Sequence, residues 1–292
     1  MPCTAAIPDG AWVASGWNVD EYGNWQYIEN GTVVTGWKQI GGKWYYFYDG
    51  WEIAGDYDSD LAWKQYTGGN MATGAANIWN DSWSEKITYF FNADGSWDTT
   101  PGWKTNGIDS FYFYKGGQRA TGWKKIGKDW YYFASNGVMR NGWVGGGSSW
   151  YYMDPETGKM VENDWIQEKF EDTWYYADKG GEMATGWREI DGDWYYFNSD
   201  GDMASQQWVK SGSDWYFMKK DGDMATGWAQ DKDEKWYYMD EDGTMESSKW
   251  VGDDASGWYY VGSDGAMLTG TQTIDGRVNI FDENGLWIGY GD

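Results

Sequence analysis

Aromatic and polar positions along the chain form one pattern written about a dozen times: Gly-Trp, a short polar gap, Trp-Tyr-Tyr-Phe, then Asp-Gly-x-Met-Ala-Thr and the next Gly-Trp. Self-similarity at such a period marks a repeat architecture. The clearest copies are ATGWREIDGDWYYFNSDGDMAS from Ala184 and ATGWKKIGKDWYYFASNGVMRNGW from Ala120. Counting from the Gly before the first Trp, or its substitute, units begin at residues 16, 36, 55, 74, 102, 122, 142, 164, 186, 207, 227, 249 and 270. Most spacings are 19 to 22 residues; the long unit, residues 74–101, carries an insertion, IWNDSWSEK, around Trp79 and Trp83.

Each unit predicts a β-hairpin. In the copy at Gly186, a strand from Thr185 to Ile190 meets Asp191-Gly192, a dipeptide suited to the positive φ angles of a tight turn, and Trp194 to Phe197 returns. Gly41-Gly42, Gly127-Lys128 and Asp275-Gly276 hold the same place. Side chains alternate faces along a strand, so Trp194 and Tyr196 point one way and Tyr195 and Phe197 the other. Both faces are aromatic and neither can be left in water. A lone hairpin is marginal, and stacking successive hairpins covers each one's rings with the next. The expectation is an all-β solenoid of stacked hairpins of about 13 units: residues 1–15 an N-terminal segment, 16–269 the repeats, and 270–292 a capping unit that stops end-to-end stacking.

Composition narrows the function. The 292 residues include 26 Trp, 24 Tyr and 10 Phe, too aromatic for a disordered chain. No apolar run approaches the ~20 residues of a membrane span. A formal charge of −24 repels nucleic acid and anionic lipid and attracts cations. Without histidine there is no Ser/His/Asp or Cys/His set and no imidazole metal site. Cys3 has no disulfide partner and is given no function. Residues 1–15 lack the basic start and long apolar stretch of a signal peptide, which leaves a removed signal or a fragment of a longer protein open.

Candidate chemistry lies in the aromatic pairs. From Trp123 onward the first Trp and the strand-two Trp recur seven to nine residues apart in most units, close enough to meet across a hairpin. With the second Tyr of the next unit's Trp-Tyr-Tyr, three ring faces can converge on a quaternary ammonium, which is attracted by ring faces and asks for no hydrogen bond. Repeating aromatics in a solenoid are by default its core, and a seam open on one side is also a cage. Sugar rings stack on the same platforms, and composition does not choose between sugar and ammonium.

The MATGW at Met183–Trp187 and Met224–Trp228, the ATGW at Ala120–Trp123 and the repeated WYYF and DGxM resemble the choline-binding repeats of Gram-positive surface proteins and phage lysins, over nearly the whole chain from Gly16. The resemblance implies a left-handed hairpin solenoid holding choline of teichoic acids in cages between units, two Trp coming from one hairpin and an aromatic from the next, with Met lining the site. Carried over, it groups Trp123 and Trp130 with Tyr152, Trp143 and Trp150 with Tyr176, and Trp165 and Trp174 with Tyr196. Further groups are Trp187 and Trp194 with Phe217, Trp208 and Trp215 with Tyr238, Trp228 and Trp236 with Tyr260, and an early set of Trp17, Trp25 and Tyr46. Met160, Met183, Met203, Met224, Met245 and Met267 fall where the family places its lining Met.

Some units depart from the pattern. Phe111 stands where Trp is expected, the two units before it are too degenerate for a cage, and Val278-Asn279-Ile280 leaves Trp250 and Trp258 without a third ring. Asp-rich turns such as NSDGDM at Asn198 lack the order of a calcium loop, so no metal or cofactor is expected. No segment outside the repeats is long enough for a catalytic domain around the plentiful carboxylates. The expectation is a non-enzymatic, extracellular, cell-wall-associated module that binds choline on teichoic or lipoteichoic acid at many sites, with homodimerisation open. A glucan- or glycan-binding repeat domain, or the targeting part of a lysin or phage attachment protein, is the alternative.

Overall fold

A computed structural model describes residues 15–21, 23–48, 68–80, 82, 84–146, 149–168, 173–253 and 255–291. Cys3 and most of the N-terminal segment, residues 55–67 of the unit expected from Gly55, and Trp83 lie outside the described residues. Every described regular element is a strand, and the strands form twelve antiparallel sheets, ten of them two-stranded hairpins. The three-stranded sheets are the first and the last: Thr32–Val33 adds to Ser15–Val19 and Trp25–Glu29, and Trp287–Tyr290 adds to Gly270–Ile274 and Arg277–Phe281. The chain divides into two compact units, residues 1–144 with 153–160 and residues 145–152 with 161–292. In each, successive hairpins stack in the manner of a β-hairpin solenoid.

The hairpin Gly186–Ile190 with Asp193–Phe197 shows the rules in the second unit. Asp191 and Gly192 take φ of 55° and 99°, closing a two-residue turn of the mirror-image kind. Trp187 then faces Tyr196, and Glu189 faces Trp194. Phe197 is wholly buried, as are Met218, Met239 and Val261 at the same place in later hairpins. Burying each such side chain contributes roughly 1.5–3 kcal/mol, which an isolated hairpin could not gain.

A short turn follows each hairpin and fastens it to the one before. Asn198 N–H donates to Asp202 C=O and Gly201 N–H to Asn198 C=O; Met203 N–H then reaches Trp174 C=O of the preceding hairpin at 2.8 Å. The same bond recurs from Met224 to Trp194, Met245 to Trp215 and Met267 to Trp236, and in the first unit from Met71 to Trp25 and Met160 to Trp130. The Met side chain of one turn lies against the Gly of the next: a Cβ on Gly222 would overlap the Met203 thioether, and one on Gly243 that of Met224. These glycines serve both their own positive φ, 88° at Gly222 and 81° at Gly243, and the close approach of a neighbouring unit.

Two irregular stretches of the first unit are accommodated without breaking the stack. Tyr48 N–H donates to Asn70 C=O and Gly69 N–H to Tyr48 C=O, the bonds that Asn198 makes with Asp202 and Gly201 elsewhere. Tyr48 and Asn70 thus close upon each other as Asn198 and Asp202 do. The insertion near Trp79 lengthens its hairpin, Gly74–Trp79 with Lys86–Phe91, by the pair Trp79 with Lys86.

Gly222→Ala combines a left-handed backbone with steric overlap and is expected to cost about 2–3 kcal/mol. Gly227→Ala has a φ of 72° but open space around it and should cost about 1 kcal/mol. Urea unfolding of both variants followed by far-UV circular dichroism checks the order.

Candidate functional site

In the second unit, hairpins up to the one at Gly227 offer their first Trp to the next hairpin. Trp165 meets Trp174 of its own hairpin with ring centroids 6.2 Å apart and planes at 85°, and Tyr195 of the following hairpin at 5.0 Å and 74°. These rings and Met203 line a cavity of about 810 Å³ whose rim carries Asp202 and Asp221. Trp187 repeats the arrangement with Trp194 at 6.3 Å and Tyr216 at 5.0 Å. Trp208 lies 4.7 Å from Tyr237, and Trp228 lies 5.3 Å from Tyr259. In the first unit Trp17, Trp25 and Tyr45 make the same box, with Met71 and Asp94 around a cavity of about 460 Å³.

Exposure separates these rings from the core. The second Trp of the pairs stays open to solvent, at 36% for Trp174, 43% for Trp194, 40% for Trp215 and 41% for Trp236, while the Ala, Phe or Met three residues on is buried. The faces already attract ammonium groups of the chain itself: Lys210 Nζ lies 5.5 Å from the Trp215 ring and Lys125 Nζ 5.7 Å from that of Trp130.

The third ring differs from the sequence expectation by one residue. Tyr196, Phe217, Tyr238 and Tyr260 face Trp187, Trp208, Trp228 and Trp250 of their own hairpins. Tyr176 likewise faces Trp165, and Tyr46 faces Trp37. The rings that reach back to the preceding hairpin are Tyr45, Tyr195, Tyr216, Tyr237 and Tyr259. The reason is parity: the second Tyr shares a face with the strand-two Trp, and that face looks forward, so only the first Tyr and the Phe look back. Of the remaining expected residues, Trp123 faces Tyr132 at 5.1 Å, Met160 N–H binds Trp130, and Met183 N–H binds Trp150. Trp123 and Trp143 belong to the first unit and Tyr152, Trp150 and Tyr176 to the second, and each is described only within its own unit.

Register also corrects the departures. Ser110, paired with Thr105, holds the strand-two Trp position, and Phe111 holds that of the first Tyr and is wholly buried. Trp250 does meet another ring: Trp287, paired with Phe281, stands in the Met position 5.9 Å away and donates its indole N–H to the Asn279 side chain. Trp97 makes the same replacement between earlier hairpins. There Trp37 meets Tyr89 at 5.0 Å and Trp97 at 5.7 Å, and Trp97 N–H binds the carbonyl of the exposed Trp44. Sequence reading missed this set because the irregular stretch after Tyr48 hid that Tyr89 belongs to the next hairpin in the stack. The six-residue step from the buried Phe to the Met position, the same at Phe91–Trp97 and Phe281–Trp287, is the signal that finds it. Between the hairpins at Gly74 and Gly102 the set is absent: Ala75 and Thr88 stand at the Trp positions and Arg119 at that of Met.

Carboxylates stand around the ring sets. Burial raises the phenol pKa of Tyr195, and the carboxylates of Asp193, Asp223, Asp191 and Asp221 add to it. Burial first and then Asp231 push Tyr237 up to about 12. Hydrogen bonds from Lys43 and then Ser96 hold Asp94 well below the usual carboxylate range. The cages are therefore neutral aromatic boxes with an anionic rim. Among the described residues no group of three or more acidic or thiol side chains is placed to hold a metal ion.

Comparison with known proteins gives two family models: choline-binding repeat, matching residues 120–165 and 167–208, and putative cell wall binding repeat, matching 35–52, 206–224, 226–245 and 248–267. No curated protein matches significantly. Among solved structures, CbpJ from Streptococcus pneumoniae TIGR4 is 30% identical, with 94% of this chain and 100% of that one covered at a TM-score of 0.56. Choline binding protein F from Streptococcus pneumoniae is 25% identical, with 94% and 99% covered at a TM-score of 0.55. The same protein with a peptidoglycan analogue, a tetrasaccharide-pentapeptide, is similar at 26% identity and a TM-score of 0.56.

Because the folded-state phenol of Tyr237 titrates above its ordinary 10.0, the unfolded chain loses that proton first as pH rises. Its contribution to stability is whole below about pH 10 and is lost toward about pH 12. Tyrosinate absorbance should show a late-titrating class that Tyr237→Phe reduces, and the fall in stability over that interval should become shallower in the variant.

Proposed function

We propose that this chain, which belongs to the choline-binding repeat family of cell-wall-binding proteins, captures the choline of teichoic or lipoteichoic acid, one group in each aromatic cage between hairpins. Its repeats are of a kind that makes choline- and cell-wall-binding modules. The observation that carries the ligand reading is the open second Trp: rings serving only as core would close on each other, whereas Trp174, Trp194, Trp215 and Trp236 keep a face for a ligand. The Trp187, Trp194 and Tyr216 rings supply three electron-rich surfaces to the methyl groups of a trimethylammonium ion. No ring hydroxyl or amide has to be desolvated for it.

Each cation–ring contact is worth about 0.5–2 kcal/mol, so a single cage binds in the millimolar to high micromolar range. A polymer carrying many cholines engages several cages at once, and linked sites raise avidity by roughly 10²–10⁴ without new contacts. The acidic rims raise the local concentration of cationic groups, an effect that salt weakens, while the closed ring contacts persist. This supports a role as a cell-wall attachment module at the cell surface.

Tryptophan fluorescence titrated in high salt tests the reading, with choline, tetramethylammonium, glucose and dextran in parallel. Saturable change with the two quaternary ammonium ions and none with the sugars is expected. Trp194→Ala and Tyr216→Ala should each lower the number of cholines bound by one, measured by equilibrium dialysis, with circular dichroism unchanged. Affinity should be flat from about pH 6 to 9, since no histidine is present and the cage phenols stay neutral. A response to dextran alone would make this a glycan-binding protein; silence with every ligand would leave the rings as core.

A further inference from the structure

One cavity of the first unit is built like the cages but lacks their defining wall. Trp103 is 45% exposed and meets Tyr131 of the next hairpin at 5.0 Å and 65°, with Met139 in the lining position and its N–H bound to the Ser110 carbonyl. The place of the second Trp is taken by Ser110, and the cavity, about 370 Å³, is bounded across from it by Glu156 and Thr157. Two ring faces remain where other cages have three.

Two acceptors in this cavity are unused. Among the described residues neither the Ser110 hydroxyl nor the Glu156 carboxylate has a protein partner; only the backbone N–H of Glu156 is engaged, by Asp154. Two cations of the chain stand close by and both are paired. Lys104, which itself lines the cavity, pairs with Asp98 and Thr100 and lies over Phe90 and Phe113, and Lys159 pairs with Asp129. A trimethylammonium ion here would lose one ring contact and offer no N–H donor to the half-buried Ser110 hydroxyl or to the exposed Glu156 carboxylate. An ammonium with N–H donors meets the opposite situation. It keeps two ring faces and can give hydrogen bonds to both free acceptors, and a bond to a charged partner is the stronger kind.

We infer that the Trp103, Tyr131, Met139, Ser110 and Glu156 cavity is a separate site for a primary ammonium group, of the aminoethyl or amino-sugar kind, selected against quaternary ammonium. It does not depend on the choline reading of the other cages. The Ser110 position makes the difference in selectivity, and Glu156 supplies the charge.

Methyl NMR of the full chain carrying ¹³C-methyl methionine resolves the sites separately, Met139 reporting this cavity and Met203 the Trp165 cage, each assigned by its Leu variant. Ethanolamine, tetramethylammonium and glucose are titrated in high salt. At Met139, ethanolamine should reach half-saturation at a concentration about tenfold lower than tetramethylammonium, with the order reversed at Met203. Glu156→Gln should weaken ethanolamine about tenfold at Met139 and leave Met203 unmoved, and Ser110→Trp should shift Met139 toward tetramethylammonium. Equal or tighter tetramethylammonium binding at Met139, a response there to glucose alone, or no response there to any ligand would each overturn the inference. Silence at Met203 with the expected order at Met139 would sustain it while removing the choline reading.

Discussion

A two-stranded ribbon with rings on both faces cannot cover either of them, and the rest of this structure is a response to that constraint. Each hairpin borrows its neighbour: Trp187 is roofed by Tyr216, and Trp165 by Tyr195 and Phe197. The backbone bond from Met203 to Trp174, repeated along each unit, holds the neighbours in one register, so rings of different hairpins meet at nearly the same distance and angle each time. Cage and core are then two sides of one seam. The Phe side is closed, and the strand-two Trp side is left open because nothing in the repeat reaches far enough outward to cover it.

Where the repeat decays, the scaffold outlasts the chemistry. The hairpin at Gly74 keeps its pairing and its buried Phe91 although Ala75 and Thr88 have replaced both tryptophans. At Gly102 one Trp survives and Ser110 turns an aromatic wall into a polar one. Trp97 and Trp287 add a ring where a thioether is usual. The hairpin pairing is kept through all these changes, since it is made of N–H and C=O groups that residues of any of these types carry. Ring content can therefore vary from seam to seam while the stack persists.

Much of this was legible in the sequence because period, turn dipeptides and WYYF runs are local signals. The hairpins, their turns at Asp191-Gly192 and Asp275-Gly276, and the pairing of Trp165 with Trp174 and Trp187 with Trp194 follow from spacing alone. The third ring did not. Assigning Tyr196 instead of Tyr195 needs only one residue of error, yet in a strand that moves a side chain to the opposite face, and which face looks forward is a property of how hairpins stack. Likewise, placing Ser110 needed the register of the hairpin, and the Trp37 and Tyr89 contact needed the knowledge that Tyr48 and Asn70 close upon each other.

The Met-to-Trp bond has a consequence for how such a chain changes over generations. A three-ring set here is owned by a junction, since two rings come from one hairpin and the third from its successor. Duplicating about twenty residues in frame leaves every earlier junction as it was and creates one complete new one, so the ring sets grow in whole units. A single substitution of a shared ring degrades one set and spares the others. Copy number and point change therefore tune separate quantities: how many ring sets the chain carries, and what lines each of them.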